Sequence, residues 1–149
     1  MGDEAEIELE PVIEDLPAGF EALHAEAQAE GFRQVERLAT DWHAATTRFD
    51  REDEALLVAR VNGVLAGIGG LTIEPSVPGA LRMRRFYVRP AFRRGGVGRR
   101  LVMALLASVP ADRLVTANVA PGSVSFWESI GFRPDPRDGH THILHRGSA

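Results

Sequence analysis

Two apolar runs rich in β-branched residues, Ala55–Val61 and Val64–Ile73, are separated only by Asn62 and Gly63. An Asn-Gly pair between strands is a strong signal for a type I′ hairpin, because both turn positions require positive φ. This hairpin commits the middle of the chain to an antiparallel sheet. Hydrophobic periodicity predicts further strands at 7–13, 81–88, 114–119 and 143–145, and helices at 17–30, 33–45, 97–109 and 121–130.

The predicted order of elements, β-α-α-β-β-β-α-β-α-β, is typical of one α/β domain with a mixed sheet. The length of 149 residues suits a single domain, and the sequence contains no repeat or linker. Because there is no cysteine, a disulfide scaffold, a thiol nucleophile and a cysteine-ligated metal are excluded. The apolar runs are far shorter than the roughly 20 residues of a membrane span, and residues 1–10 lack the features of a signal peptide, so we expect a cytoplasmic protein.

The positive charge of the chain is concentrated in one segment. All 17 basic residues are arginine, and eight of them fall within the stretch from Arg82 to Arg100, which contains no acidic residue. The net charge is nevertheless −4, so the rest of the chain is strongly acidic. An acidic chain is a poor general binder of nucleic acid, which requires a broad positive potential. One local basic segment is better suited to a compact anion.

The segment from Val88 to Arg99 carries the clearest chemical signal. It follows a predicted strand, contains Gly95, Gly96 and Gly98, and opens a predicted helix. A helix N-terminus leaves its first N–H groups unpaired and carries about +0.5 of an elementary charge, which favours phosphate. Glycines let the backbone approach an anion closely. The segment therefore predicts a site for a phosphate-bearing ligand.

Two other phosphate motifs fit this segment less well. A Walker A loop needs a Lys followed by Ser or Thr, and the chain has no Lys. The dinucleotide fingerprint needs a third Gly or Ala three residues after Gly98, where this chain has Leu101.

The arrangement Arg93-x-x-Gly96-x-Gly98 resembles the Arg/Gln-x-x-Gly-x-Gly/Ala motif of the GCN5-related N-acetyltransferases, the GNAT superfamily. Residues 86–90, with the sequence FYVRP, resemble the fourth-strand signature of that superfamily. Residues 126–132, with the sequence FWESIGF, resemble the Phe-Tyr-Glu-Lys-Leu-Gly-Phe segment that follows its fifth strand. The three matches occur in the family's order and spacing, and we expect residues 6–146 to form one GNAT domain.

The resemblance implies a fold and an activity. The fold is a single α/β domain whose mixed, mostly antiparallel sheet is flanked by helices and splayed between strands 4 and 5. The activity is direct transfer of an acetyl group from acetyl-CoA, as co-substrate, to an amine of an unidentified acceptor, without a covalent enzyme intermediate. Homodimers are common among relatives, so a homodimer is possible, and neither a nucleic-acid nor a membrane partner is expected.

The resemblance also assigns roles to individual residues. Backbone groups of residues 86–88 would pair with the pantetheine arm of the coenzyme, and the amides of residues 94–99 would hold its diphosphate. The N–H of Val88 would donate to the thioester oxygen and stabilise the charge that develops there. The coenzyme-binding residues are then Phe86, Tyr87, Val88, Arg93, Arg94, Gly95, Gly96, Val97, Gly98, Arg99 and Asn118.

The proton-transfer groups do not follow the family pattern. Many relatives carry a tyrosine, which protonates the departing thiolate, where this chain has Trp127, and an indole N–H is not a practical acid. The only tyrosine, Tyr87, is predicted on the fourth strand, where a packing role is expected. The candidates for the general base are Glu74 and His43, for each of which an ordinary structural role is the alternative.

The acceptor is not identified by any motif. Arg84 and Arg85 occupy fourth-strand positions that are often acidic in relatives, and together with Arg82 they could hold a carboxylate of an amino acid or another acidic small molecule. Strand alternation places Arg82 and Arg84 on one face of the sheet and Arg85 on the other. Two alternatives stay open: an acyl-CoA-binding regulatory module without turnover, and an acyltransferase that uses another donor or an alcohol acceptor.

Three histidines, His140, His142 and His145, lie close together near the C-terminus. Their spacing would suit a metal site, but alternation along a strand explains it equally well. No metal is expected.

Overall fold

A seven-stranded sheet in the order β1-β2-β3-β4-β5-β7-β6 forms the centre of the protein. The computed structural model describes residues 6–137 and 139–145. The strands are β1 (Ile7–Pro11), β2 (Ala55–Val61), β3 (Val64–Ile73), β4 (Leu81–Val88), β5 (Leu114–Ala117), β6 (Arg133–Pro134) and β7 (His142–His145). The helices are α1 (Phe20–Ala29), α2 (Gln34–His43), α3 (Val97–Ala107) and α4 (Val124–Ile130), with short 3-10 turns at Pro90–Phe92 and Pro121–Ser123.

The hairpin between β2 and β3 has the predicted turn. Asn62 and Gly63 have φ values of 51° and 84°, and Val61 pairs with Val64 on either side of them. Both φ values are positive, as a type I′ turn requires. The predicted hairpin is therefore confirmed, and it supplies two inner strands of the sheet.

The sheet opens between β4 and β5. These two strands are the parallel pair of an otherwise antiparallel sheet, and they pair only from Leu81 with Val115 to Met83 with Ala117. Beyond that point β4 continues to Val88, whereas β5 ends. The prediction of a mixed, mostly antiparallel sheet with a splay between the fourth and fifth strands is confirmed.

The helices cover both faces of the sheet. Alternation along β2 sends Leu56 and Val58 into a core with α1 and α2, which includes Leu23 and Leu38. The opposite face packs against α3, where Leu101 is fully buried, and against α4. Burying each such side chain stabilises the fold by about 1.5–3 kcal/mol. The packed faces hold β4 and β5 in place on both sides of the gap.

Some element boundaries differ from the prediction. The first helix begins at Phe20 rather than at residue 17, because Gly19 before it has φ of 90°. The strand predicted at 114–119 ends at Ala117, and the two-residue strand β6 was not predicted. The predicted domain bounds extend to residue 146, which lies outside the described residues. Within the described ranges, no helix is long and apolar enough to cross a membrane.

Candidate active site

A β-bulge in β4 shapes the gap. Ile68 of β3 pairs with Tyr87, but Gly70 pairs with Arg84, so β4 contains one residue more than β3 over this stretch. The irregularity coincides with Arg85, whose φ is 63°. A bulge interrupts the alternation of side chains. The prediction that Arg85 faces away from Arg84 is wrong for this reason.

The hydrogen-bond partner of Arg85 shows that its side chain points toward α2. Its guanidinium donates to Asp41 Oδ2 of α2 at 3.3 Å. Arg84 also faces this side of the sheet, because the neighbouring Met83 packs on the opposite side with α3 and α4. The bulge therefore turns two adjacent arginines toward α2.

The splayed strands border a cleft of about 1020 Å³. Its lining comes from β4, the loop before α3, the segment after β5, the start of α4, and α2. At one end lie the backbone amides of residues 94–99, all of which except Gly95 belong to lining residues, and we call them the amide end. At the other end lie Arg37, Arg82, Arg84 and Arg85, which we call the arginine end.

The amide end is an array of unpaired donors. The N–H groups of residues 94–99 donate to no group in the described part of the chain, and the first backbone bond of α3 runs from Arg100 N to Gly96 O at 3.0 Å. Positive φ values at Arg94 (69°) and Gly96 (86°) turn the chain into the helix. Six consecutive free N–H groups at the N-terminus of an eleven-residue helix suit a diphosphate, so the residues present fit the coenzyme that the sequence implies.

Gly98 keeps the amide end open. A Cβ at this position would lie 3.4 Å from the ring of Phe126 and 3.6 Å from Val88 Cγ2, which are ordinary contact distances. A small side chain would therefore be tolerated by the fold. It would, however, occupy space beside the free amides. The glycine is explained better by access to the backbone than by packing.

Arg93 and Tyr87 connect the loop before α3 to Glu30, the residue that follows α1. The Arg93 guanidinium donates to both carboxylate oxygens of Glu30, at 2.9 and 2.6 Å, and its Nε donates to Val88 O at 2.9 Å. The Tyr87 hydroxyl donates to the same carboxylate at 2.5 Å. Hydrogen bonds from Arg93 and Tyr87 lower the pKa of Glu30, and burial together with this carboxylate raises the pKa of Tyr87. Their charged or polar atoms are thus directed at Glu30 rather than at the free amides.

The N–H of Val88 faces the gap. Arg89 N donates to Ala66 O at 2.8 Å, and the next pair along the antiparallel ladder is Val88 with Gly67. Hydrogen-bonded and non-hydrogen-bonded pairs alternate in such a ladder, so the N–H of Val88 points away from β3. Gln34 of α2 donates to the carbonyl of Phe86 at 3.1 Å on this side. A backbone donor is thus available where the strands separate.

Trp127 forms part of the cleft wall. It is 7% exposed, and its ring meets Phe86, Phe126 and Phe132 edge-on at centroid distances of 5.2, 5.3 and 5.2 Å. Its indole N–H donates to no described group. Edge-to-face contacts of this kind stabilise aromatic clusters beyond their buried area.

Asn118 lies across the gap from β4. The Thr141 hydroxyl donates to Ala117 O at 3.2 Å and accepts from Val119 N at 2.8 Å, which ends β5 beside Asn118. The Asn118 side chain lines the cleft and is exposed, and it has no hydrogen bond to the described residues. Its amide is therefore free to bind a ligand.

The two candidates for the general base lie outside the cleft lining. Glu74 is 3% exposed and accepts hydrogen bonds from Ser76 N–H (2.6 Å), Ser76 OH (2.7 Å) and Thr116 OH (2.7 Å). Burial alone would raise the pKa of Glu74, but these hydrogen bonds and the charge of Arg82, 3.7 Å away, outweigh it and lower the pKa. His43 is exposed at the end of α2. The structure does not bring either group to the gap.

The lining has an unusual charge composition, which the basic segment from Arg82 to Arg100 anticipates only in part. Of the described residues that line the cleft, none is Asp, Glu or His, whereas seven are arginine. Arg37 of α2 is one of them, and nothing in the sequence distinguishes it from other helix-surface arginines. Only the packing of α2 on β4 brings it to the arginine end.

Two of the three C-terminal histidines, His140 and His142, are paired with carboxylates. His140 Nε2 lies 2.5 Å from Asp135 Oδ2, and His142 Nε2 lies 3.1 Å from Glu128 Oε2. Over residues 6–137 and 139–145, no group of three or more His, Cys, Asp or Glu side chains could hold a metal ion.

Comparison with known proteins places these features in a family. A family model described as "Acetyltransferase (GNAT) domain" matches residues 21–142. A search of curated proteins finds no significant match. A protein from Exiguobacterium sp. 255-15, assigned as an acetyltransferase, has a similar structure, with a TM-score of 0.84 at 23% identity over 95% of this chain and 94% of that one.

Two further structures are similar at lower identity. One is a protein from Salmonella typhimurium, assigned as an acetyltransferase and described with its cofactor acetyl-CoA (TM-score 0.66, 17% identity, 94% of each chain). The other is glucosamine-6-phosphate N-acetyltransferase from Arabidopsis thaliana (TM-score 0.61, 14% identity, 91% of this chain and 97% of that one). At these identities the similarity is one of fold.

Proposed function

This chain belongs to the GNAT acetyltransferase family, and on that premise we propose that it transfers an acetyl group from acetyl-CoA directly to an amine. The observation that carries the proposal is the run of six free N–H groups at residues 94–99, which opens into the gap between β4 and β5. A diphosphate bound there would place the rest of an extended coenzyme along β4.

We assign the binding roles as follows. The amides of residues 94–99 hold the diphosphate, and the backbone of residues 86–88 together with the Asn118 side chain holds the pantetheine arm. Acetyl-CoA supplies the activated acetyl group as a thioester. The N–H of Val88 donates to the carbonyl oxygen of that group and stabilises the negative charge that develops as the amine attacks.

The cleft also suggests how the amine loses its proton. No carboxylate or imidazole lines the cleft among the described residues, so these residues offer no such base there. Positive charges near an ammonium group lower its pKa, and the arginine end supplies such charges. The amine would therefore bind in its neutral form after giving its proton to water. A cysteine thiol has a pKa of about 8.5, and a thiolate of this class can leave without a protein acid. As the C–S bond breaks, the attacking nitrogen gives its remaining extra proton to water, and Trp127 acts only as a wall.

CoA release in the presence of a panel of amines tests this proposal, with a thiol reagent as the readout. We expect at least one amine to raise release well above the rate of acetyl-CoA hydrolysis. Stabilisation of the fold by acetyl-CoA, measured by thermal unfolding, is the accompanying binding test. A protein that acetyl-CoA does not stabilise would contradict both the binding role of the amide end and the transferase assignment.

A regulatory module that binds acyl-CoA without turnover is the second candidate function. The observation in its favour is the cleft lining itself, which holds no carboxylate or imidazole among the described residues and whose tyrosine, Tyr87, donates its hydroxyl to Glu30. Two results together would favour this candidate over the enzyme. Acetyl-CoA would stabilise the fold, and CoA release would stay at background for every amine in a panel that includes peptides, amino acids and aminoglycosides.

A further inference from the structure

The arginine end contains more cations than the neighbouring acids can pair. Arg85 lies 3.3 Å from Asp41, and Arg82 lies 3.7 Å from the buried carboxylate of Glu74. Arg84 and Arg37, in contrast, form no ion pair with any acid in the described ranges, although both line the cleft. Four guanidinium groups thus share two carboxylates.

These cations are held at an electrostatic cost. Burial lowers the pKa of Arg84, and the charges of Arg85 and Arg82 lower it further, more than Asp41 and Glu74 restore it. Burial also lowers the pKa of Arg85, with repulsion from Arg37 and Arg82 adding to the effect. An anionic group bound between these side chains would relieve the repulsion and could accept bidentate hydrogen bonds from a guanidinium.

The arginine end and the N–H of Val88 belong to the same strand. Arg84 precedes Val88 by four residues, which corresponds to on the order of 10 Å along a bulged strand. An arginine side chain spans several ångströms of that distance. A small molecule can therefore place an anionic group against Arg84 and Arg85 while its amine reaches the gap beside Val88.

We propose that the arginine end is an acceptor subsite for the carboxylate or phosphate group of a small amine, so that the acceptor carries both an amino group and an anion. This inference rests on the proposed acetyltransferase function. Arg84 is its central residue, because it lines the cleft without an ion pair of its own. Glu74, behind Arg82, and Asp41, beside Arg85, keep the flanking guanidiniums in place.

Matched pairs of amines test the subsite. Phenylalanine is compared with phenethylamine for the carboxylate, and O-phosphoethanolamine with ethanolamine for the phosphate, with rates corrected for the fraction of neutral amine. We expect kcat/KM to be at least about tenfold higher for the anion-bearing member of a pair than for the member that lacks the anion, since charge-assisted hydrogen bonds to a guanidinium are stronger than neutral ones. The pair with the larger ratio identifies which anion the subsite prefers.

The variant Arg84→Gln separates the subsite from general effects on the fold. It should raise KM for the preferred anionic amine about tenfold, with kcat little changed. The partner amine that lacks the anion should lose clearly less in kcat/KM, because it loses only the effect of the Arg84 charge on the amine pKa and not a bound anion. Arg133→Gln on β6, an exposed arginine outside the cleft lining, is the matched control and should change neither value. Retained stabilisation by acetyl-CoA confirms that Arg84→Gln is folded.

The outcomes distinguish failure of this inference from failure of the proposed function. If amines are acetylated but neither the anion nor Arg84→Gln changes kcat/KM, the proposed transferase function is supported and the proposed subsite is wrong. If no amine is acetylated, calorimetric titration of the acetyl-CoA-saturated protein with the same amines decides. If an anionic amine binds and Arg84→Gln abolishes that binding, the subsite is supported without the transferase. If both members of each pair bind equally, or neither binds, the subsite is overturned.

Discussion

The two ends of the cleft are built in different ways. The amide end comes from one continuous stretch, residues 94–99, and offers backbone N–H groups. The arginine end comes from α2 and β4, which are separated by the β2–β3 hairpin, and offers side chains. A site built from backbone is insensitive to most substitutions of its own side chains. A site built from side chains can change its specificity by a single replacement. The first arrangement suits a coenzyme that a whole family shares, and the second suits an acceptor that differs between members.

The largest effect should follow from filling the amide end. Gly98→Glu places a carboxylate beside the free N–H groups, where it competes with a diphosphate for the same donors. Acetyl-CoA at 100 times its dissociation constant should stabilise the unmodified protein by about 2.7 kcal/mol. We expect this stabilisation to disappear in Gly98→Glu. Thermal unfolding with and without acetyl-CoA measures it.

The control for this variant is Met103→Glu, which adds the same charge to the same helix. Met103 is 48% exposed and lies about 7–8 Å farther along α3. Full stabilisation by acetyl-CoA should persist there. If acetyl-CoA stabilised Gly98→Glu as much as it stabilises the control, the diphosphate would bind elsewhere. The amide end would then not be the coenzyme site that the comparison of the two ends assumes.

The second prediction concerns pH and the gap between the two ends. Because no carboxylate or imidazole lines the described cleft, kcat/KM should follow the neutral fraction of the acceptor amine, rising about tenfold per pH unit below the amine's effective pKa. Two acceptors whose amines differ in pKa should give profiles displaced by that difference. Profiles with the same midpoint for both acceptors would instead reveal a base on the protein.

The difference between the two ends also explains which features of the fold and the site could be predicted from the sequence. The hairpin at Asn62-Gly63 and the glycines before α3 depend on local backbone conformation, and both were predicted. Arg85 was placed on the wrong face because a bulge depends on the register of β4 against β3, which one sequence does not encode locally.

Long-range contacts account for the remaining differences. Glu74 stands at the end of a strand, where a catalytic role was a reasonable hypothesis, but Thr116, 42 residues later in the chain, binds its carboxylate in the core. Arg37 and Gln34 reach the cleft only through the packing of α2 on β4. The segment for which we propose coenzyme binding thus carries local signals in the sequence, whereas the arginine end required the assembled fold.

A smaller effect is expected at Trp127, where the two ends meet. Trp127→Phe keeps an aromatic ring among Phe86, Phe126 and Phe132 and removes only an indole N–H that donates to no described group. Turnover of the best acceptor should fall less than about tenfold, a change below roughly 1.4 kcal/mol in activation free energy. A much larger loss in kcat at unchanged KM would mean that the indole acts on the reacting atoms.

The smallest effect should come from Arg93, the arginine of the coenzyme motif itself. Its guanidinium pairs with Glu30, the residue that follows α1, with side-chain exposures of 41% and 27%, so Arg93→Gln should lower the free energy of unfolding by only about 0.5–1 kcal/mol. The stabilisation by acetyl-CoA should change by less than about 0.5 kcal/mol, because backbone amides rather than this side chain are proposed to hold the diphosphate. Parallel thermal unfolding of Arg93→Gln and the unmodified protein, each with and without acetyl-CoA, measures both quantities. If Arg93→Gln instead removed the response to acetyl-CoA while the fold stayed intact, the guanidinium would have to leave Glu30 on binding, and the amide end would depend on a side chain just as the arginine end does.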